Sequence, residues 1–221
     1  MNRFVLLTIA ILLSAHPSFS QSDPVLDLKG KIPPAVHEIH SHSFNGHFHP
    51  STTKSEGFII GRGLPFFPIP SSTMEELLTR MICSSDAIVV AEIGASEASL
   101  TSDGKSAFTD SLAKIKKVVK DNPQQNLAPE RVIVIGRNGG EVEVSPGIKF
   151  KVIDENSPPF VEGNEYLIFM RYVASSRQYI STGDLYKVDG NKFSAVASPD
   201  VGKYDFGQLS SLARTASCNA K

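Results

Sequence analysis

The residues of this sequence best suited to chemistry are its histidines, because five of them fall within thirteen positions. They are His37, His40, His42, His47 and His49. Neutral imidazole is a good ligand for zinc and copper, and two histidines one residue apart in an extended backbone point to the same side. The cluster therefore predicts a zinc or copper site. The alternative, which we favour, is a solvated histidine-rich tract, since ordering a flexible segment on a metal costs entropy at every residue fixed.

Signatures of catalysis are weak. His37 and His40 are three positions apart, whereas the zinc-protease motif His-Glu-x-x-His needs four. There is no Gly-x-Ser-x-Gly segment and no phosphate-binding glycine loop. A cysteine nucleophile at Cys83 would need a histidine beside it, and the histidines of the expected mature chain all lie in one distant segment. The sequence therefore favours a role without catalysis.

The two cysteines, Cys83 and Cys218, are expected to form a disulfide. Free thiols or a redox pair are the alternatives, but a redox pair normally has the close spacing Cys-x-x-Cys. A disulfide requires the two Cα atoms to lie within about 7 Å of each other.

The N-terminus predicts export. A cationic start at 1–3 precedes an apolar run at 4–13 that is too short to span a bilayer, and small residues follow up to Ser20. We interpret residues 1–20 as a signal peptide and expect a secreted or periplasmic mature chain without a membrane span.

Charge and length limit the class of protein. Lys and Arg total 22 and Asp and Glu total 23, so no excess of positive charge is available for a phosphate backbone. A nucleic-acid partner is therefore not expected. Roughly 200 residues remain after cleavage, which is enough for one domain and an appendage.

The appendage is predicted at residues 21–71, which hold half of the prolines and lack sustained apolar periodicity. We expect a flexible arm that is extended or partly disordered and lies outside the core. Ordered structure is expected to begin at Ser72, in a domain spanning 72–221. Ser72 and Glu75 have the spacing of a capping box for a helix that ends near Ile82.

The rest of the chain has the short, β-branched segments and turns of a β protein. A polar loop is expected at 94–104, a glycine turn at 136–140, and a closing helix near Phe206. The segment 106–119 also fits a helix, but we favour a strand. Strands are predicted at 87–93, 106–119, 131–135, 141–144, 148–153, 165–173, 185–188 and 192–196.

The strand at 165–173 is apolar at nearly every position. Because side chains alternate along a strand, Tyr166, Ile168 and Met170 should share one face, and Leu167 and Phe169 the other. Such a continuous run predicts that both faces are covered.

Two segments carry a resemblance: Ser85-Asp-Ala-Ile-Val-Val-Ala-Glu-Ile93 and Pro159-Phe-x-x-Gly-x-x-Tyr-Leu-Ile-Phe169. Their arrangement resembles a group of uncharacterised exported bacterial proteins, and it is similar to the OB-fold-like barrel of tissue inhibitors of metalloproteinases and netrin-type modules. The resemblance implies a single OB-like β-barrel. Those inhibitors act through a mature N-terminal cysteine. The expected mature start near Gln21 offers none, so their mechanism is not carried over.

The sequence thus predicts a mainly β protein, with a short helix before the first barrel strand, a C-terminal helix and a preceding arm. The predicted function is an exported, non-catalytic binding or interaction module, with another protein as one possible class of partner. An extracytoplasmic zinc- or copper-binding protein is the alternative, and a hydrolase is the third hypothesis.

Overall fold

The structure, a computed structural model, describes residues 25–45, 51–55, 58–62, 73–154, 157–182, 185–196 and 204–218. The helices are α1 (Pro34–Ser43), α2 (Met74–Ser84) and α3 (Phe206–Thr215). The strands are β1 (Ser51–Ser55), β2 (Phe58–Arg62), β3 (Ala87–Leu100), β4 (Ala107–Lys120), β5 (Val132–Asn138), β6 (Gly140–Ser145), β7 (Ile148–Ile153), β8 (Glu165–Val173), β9 (Gln178–Ser181), β10 (Tyr186–Asp189), β11 (Lys192–Ala195) and β12 (Tyr204–Asp205). The predicted signal peptide, Ser72, His47 and His49 lie outside the described residues.

Five strands pair in a closed ring in the order β3-β4-β5-β9-β8 and back to β3. Neighbours in the ring are antiparallel except β5 and β9, which are parallel. The five strands thus close into one barrel-like sheet, which is the feature that the predicted OB-like barrel requires. Strands β10 to β12 extend one side of the ring, and a second sheet has the order β1-β2-β7-β6. The mainly β class is confirmed, with a helix before β3 and a C-terminal helix.

The two faces of β8 belong to different cores. Tyr166, Ile168 and Met170 point into the ring, among buried residues of β3, β4 and β5. Leu167 and Phe169 point outward and pack against apolar residues of α2 and α3. The predicted alternation and the predicted cover on both faces are therefore confirmed.

Helix α2 begins one residue later than expected. Its N-cap is Thr73, whose hydroxyl accepts a hydrogen bond of 3.2 Å from the Glu76 amide, so the prediction that Ser72 is the cap is wrong. The last turn of α2 carries Cys83, which is bonded to Cys218 with the Cα atoms 5.2 Å apart. The predicted disulfide is confirmed, and it ties α2 to the segment that follows α3.

The expected arm contains a helix. Residues 34–43 form α1, so an extended or disordered conformation is wrong for this stretch. Ile32 and Val36 are buried against Leu112 and Val134 on the outer side of β4 and β5. Tertiary contacts of this kind stabilise a short helix that has little apolar periodicity of its own. The boundary between arm and barrel near residue 71 stays a prediction.

Strand β3 also differs from the prediction, because it continues to Leu100 through part of the expected polar loop. Its second half pairs with β4 from Ser96 to Leu100, and the Ala95 amide donates to the carbonyl of Leu28 at 3.0 Å. Strand β9 was not predicted. Among the described residues, no helix is both long and apolar enough to cross a membrane.

Candidate functional site

Two histidines of α1 share one buried carboxylate. Nδ1 of His37 lies 2.6 Å from Oδ2 of Asp110, and Nδ1 of His40 lies 2.6 Å from Oδ1 of the same residue. The side chains of Asp110 and His40 are fully buried, and that of His37 is 17% exposed. An ionised carboxylate only accepts hydrogen bonds, so both histidines donate from Nδ1. Asp110 therefore anchors α1 on β4.

The outer nitrogen of each ring contacts a serine. Nε2 of His37 is hydrogen-bonded to the hydroxyl of Ser99 in β3, and Nε2 of His40 lies 3.2 Å from the hydroxyl of Ser176. We call the set Ser99, His37, Asp110, His40 and Ser176 the Asp110 network. The charge-assisted hydrogen bonds from the two rings to Asp110 orient the rings and hold the helix in one position.

Helix and strand geometry explain why these residues meet. His37 and His40 are three positions apart, so they lie on the same face of α1. Along β4, Ala113 points into the ring whereas Leu112 packs on the outer side, and Asp110 shares the outward side with Leu112. Successive side chains of the strand alternate, and Asp110 thereby faces the helix.

Gly136 of β5 leaves the room that the network needs. A Cβ atom at this position would lie 2.9 Å from Oδ1 of Asp110, 3.0 Å from Nδ1 of His40 and 3.0 Å from the ring of Phe44. Contacts this short force neighbours to move. The lack of a side chain at Gly136 therefore lets α1 approach the sheet closely.

Aromatic rings close one end of the network. Phe44, the C-cap of α1, stacks on Phe108 with ring centroids 5.4 Å apart, and the His37 ring lies 4.9 Å from Phe108. Both phenylalanines are buried. Apolar surroundings strengthen the hydrogen bonds to Asp110, because less water competes for them.

The pKa of His37 is raised above its ordinary value. The main cause is the hydrogen bond to the Asp110 carboxylate, which favours the protonated ring, and the charges of Asp110 and Glu97 act in the same direction. Partial burial opposes them. His37 is therefore a stronger base than a free imidazole, with its proton-accepting nitrogen on the side of Ser99.

A groove of about 420 Å³ lies beside His37, between α1 with its leading segment and β3. Its walls combine apolar, charged and hydroxyl groups: Lys31, Ile32, Pro34, His37, Glu38, Ser41, Glu97 and Ser99. Ser99 and His37 both line it, so the hydroxyl–imidazole pair is accessible to a bound molecule. These lining residues include two carboxylates, Glu38 and Glu97, and one ammonium group, Lys31.

The predicted histidine cluster is only partly assembled. His37 and His40 meet at Asp110, whereas Nδ1 of the exposed His42 lies 2.9 Å from the Ser102 hydroxyl. The expectation that the histidines lie outside the core is wrong for the fully buried His40. Within the described residues, no group of three or more His, Cys, Asp and Glu side chains is placed to hold a metal. The five-histidine site stays a prediction.

Sequence reasoning missed Ser99, Asp110 and Ser176. They are far from the histidines in sequence and belong to no linear motif. A faint signal existed in the β4 segment, where Asp110 is a carboxylate placed on a face that otherwise carries Phe108 and Leu112. A buried charge requires a partner, but the sequence does not say which residue supplies it.

Comparison with models of known protein families finds no family that matches this chain, and comparison with curated proteins finds no significant match. An assignment of function therefore rests on the Asp110 network and the groove beside it.

Proposed function

We propose that this protein is an exported binding module that holds a small ligand in the groove between α1 and β3. The observation that carries the proposal is a groove of about 420 Å³ with one wall fixed by the buried Asp110 network. This volume lies within the range of small-molecule sites, roughly 300–1,000 Å³. A preformed wall reduces the entropy that binding must overcome.

The charges of the groove favour a neutral or cationic ligand. Glu38 and Glu97 contribute two negative charges and Lys31 one positive charge. The lining is therefore negative whenever His37 is neutral, and a ligand with a carboxylate or phosphate is disfavoured. Ile32 and Pro34 provide apolar contact, while Ser99 offers a hydroxyl for orientation.

The proposed location is outside the cytoplasm, either secreted or periplasmic. The disulfide between Cys83 and Cys218 supports this location, because disulfides persist in oxidising compartments. The N-terminal pattern at 1–20 favours it as well. The natural ligand would then be an extracytoplasmic molecule.

Nuclear magnetic resonance with a fragment library tests the proposal. The amide signals of the disulfide-bonded mature chain are followed while neutral, cationic and anionic fragments are added. We expect neutral and cationic fragments to shift the amides of Lys31, His37 and Ser99, and to leave the amide of Val144, which does not line the groove, unchanged. Fragments that cluster at another surface, or that never shift the groove amides, would contradict the proposal.

Charge reversal sharpens the test. Glu97→Lys should weaken the binding of cationic fragments about tenfold or more, since it replaces an attraction by a repulsion in the groove. Glu143→Lys is the matched control, because Glu143 is an exposed glutamate of β6 outside the groove. Equal effects of the two substitutions would show that the fragments respond to net charge rather than to the groove.

A further inference from the structure

The groove side of the Asp110 network has the connectivity of a nucleophile and its base. The Ser99 hydroxyl contacts Nε2 of His37, and Nδ1 of His37 lies 2.6 Å from a carboxylate oxygen of Asp110. An imidazole that donates from Nδ1 to a buried carboxylate keeps Nε2 free to accept a proton from a hydroxyl. Three residues from separate segments thus form one proton-transfer chain.

We propose that Ser99 is a nucleophile that attacks the carbonyl carbon of a neutral or cationic ester bound in the groove, with His37 as general base and Asp110 as the residue that orients His37. The inference rests on the proposed function, because the ester must first occupy the groove. It also supplies named residues for the hydrolase hypothesis, which was the third of the three functions that the sequence suggested.

In the first step the Ser99 oxygen bonds to the carbonyl carbon, and its proton moves to Nε2 of His37. The carbonyl oxygen gains the displaced electron pair and becomes an oxyanion. The bond between this carbon and the alcohol oxygen then breaks, and the leaving oxygen takes the proton from Nε2. The products of this half-reaction are a free alcohol and an acyl group on Ser99.

Water completes the cycle. His37 removes a proton from a water molecule, the water oxygen bonds to the acyl carbon, and the bond to the Ser99 oxygen breaks. The proton on Nε2 returns to Ser99, which releases a carboxylic acid. Throughout, the proton on Nδ1 stays between His37 and Asp110. Lys31 is the lysine that lines the groove, and a positive charge there favours the oxyanion.

His40 and its contact Ser176 have a different role from His37 and Ser99. The ring of His40 is fully buried, so no ligand reaches it, and the hydroxyl of Ser176 also contacts the carbonyl of Val173 at 3.2 Å. His40 occupies the second oxygen of Asp110 and thereby fixes the direction of the first. His40 is thus a positioning residue, and the accessible nucleophile is Ser99.

Labelling with a small fluorophosphonate tests the proposal, because a serine nucleophile displaces fluoride from its phosphorus and stays covalently modified. Intact-mass and peptide mass spectrometry of the disulfide-bonded mature chain should find one label, on the peptide containing Ser99. Ser99→Ala should abolish it. His37→Gln should slow it about 100-fold or more, the usual contribution of a positioned base. Asp110→Asn should slow it as well, because it removes the negative charge that stabilises the protonated ring of His37. Circular dichroism verifies that each variant is folded.

Ser96→Ala is the matched control, because Ser96 is an exposed serine of the same strand whose hydroxyl contacts Ser111 at 2.7 Å. It should be labelled as fast as the wild type. A label on another serine, or equal labelling of Ser99→Ala, would overturn the inference. If fragments shift the groove amides but Ser99 stays unlabelled, the nucleophile is refuted and the binding function stands. If neither occurs, both are refuted.

Discussion

Replacing Asp110 by alanine should be one of the most destabilising single changes in this protein. The substitution leaves Nδ1 of two histidines without an acceptor, and His40 has no access to water. Removing one partner of a buried charged contact typically costs about 3–5 kcal/mol. Two hydrogen bonds to a charged group, at about 1.5–3 kcal/mol each, give a similar range. We therefore expect a loss of about 3–5 kcal/mol in the free energy of unfolding.

Asp110→Asn removes the charge of this side chain but keeps its shape, so it separates the two contributions to stability. Its carbonyl accepts from His37, and its amide donates to Nδ1 of His40 once that ring carries its proton on Nε2. All groups then keep partners, and we expect a smaller loss of about 1–2 kcal/mol, the difference between charged and neutral hydrogen bonds. The exposed residue Glu162 provides the control, since Glu162→Ala should stay within about 0.5 kcal/mol of the wild type.

Equilibrium unfolding in urea at pH 7 measures these changes. The chain has no tryptophan and five tyrosines, so far-UV circular dichroism and tyrosine fluorescence are the two signals. Coincident transitions justify a two-state treatment. A loss below about 1 kcal/mol for Asp110→Ala would refute the reasoning, because it would mean that α1 is held without the carboxylate. Equal losses for the alanine and asparagine variants would refute the argument from unpaired nitrogens.

Four further predictions concern pH, the disulfide, the core and metal. The raised pKa of His37 means that its contribution to stability is complete below its ordinary value and is lost as pH rises through the raised value, so urea unfolding should show a decline there that His37→Gln removes. Replacing Cys83 and Cys218 together by alanine should lower stability by up to about 5 kcal/mol in the chain-entropy model, and a loss below about 1 kcal/mol would contradict it. Phe169→Ala should cost about 3–5 kcal/mol by thermal or urea unfolding, whereas Val161→Ala at an exposed site should cost less than about 0.5 kcal/mol. Zinc should bind weakly by calorimetry at pH 7, since docked histidines already use their ring nitrogens, and tight binding of one equivalent would support the five-histidine site instead.

The ring was predictable because strand periodicity is a local signal. In β8 every residue from Tyr166 to Met170 is apolar, and the run from Glu165 to Val173 has the length of a strand. In β4 the segment also fitted a helix, and β-branched residues near its end favoured the strand. For such segments, local preference and tertiary environment agree.

Helix α1 was missed because its stability is not local. Val36 and His40, one turn apart, are its buried residues, and one of them is polar. The sequence of α1 therefore shows no apolar stripe that would predict a helix. The helix depends instead on Asp110, in a strand about seventy positions away. Pro34 in the first turn was the available signal, since proline fits the start of a helix. The sequence does not indicate that this helix contacts the distant carboxylate of Asp110.

Strand β9 was missed for a different reason. It has four residues and follows Arg177, a non-glycine residue with a positive φ of 54°. A strand this short is defined by its partners, which are β8 on one side and β5 on the other. Its existence follows from closure of the ring rather than from its own composition.

Because Gly136 has no side chain, a single added carbon atom at this position would change the packing of α1 on the sheet. Its φ does not lie in the left-handed region, so the backbone tolerates alanine, and what a methyl group would disturb is the seat of α1. In Gly136→Ala the added methyl group would press against Asp110, His40 and Phe44, while every titratable group stays chemically unchanged. The change in the free energy of unfolding would then measure how much stability depends on the close approach of the first helix to the sheet, at constant charge.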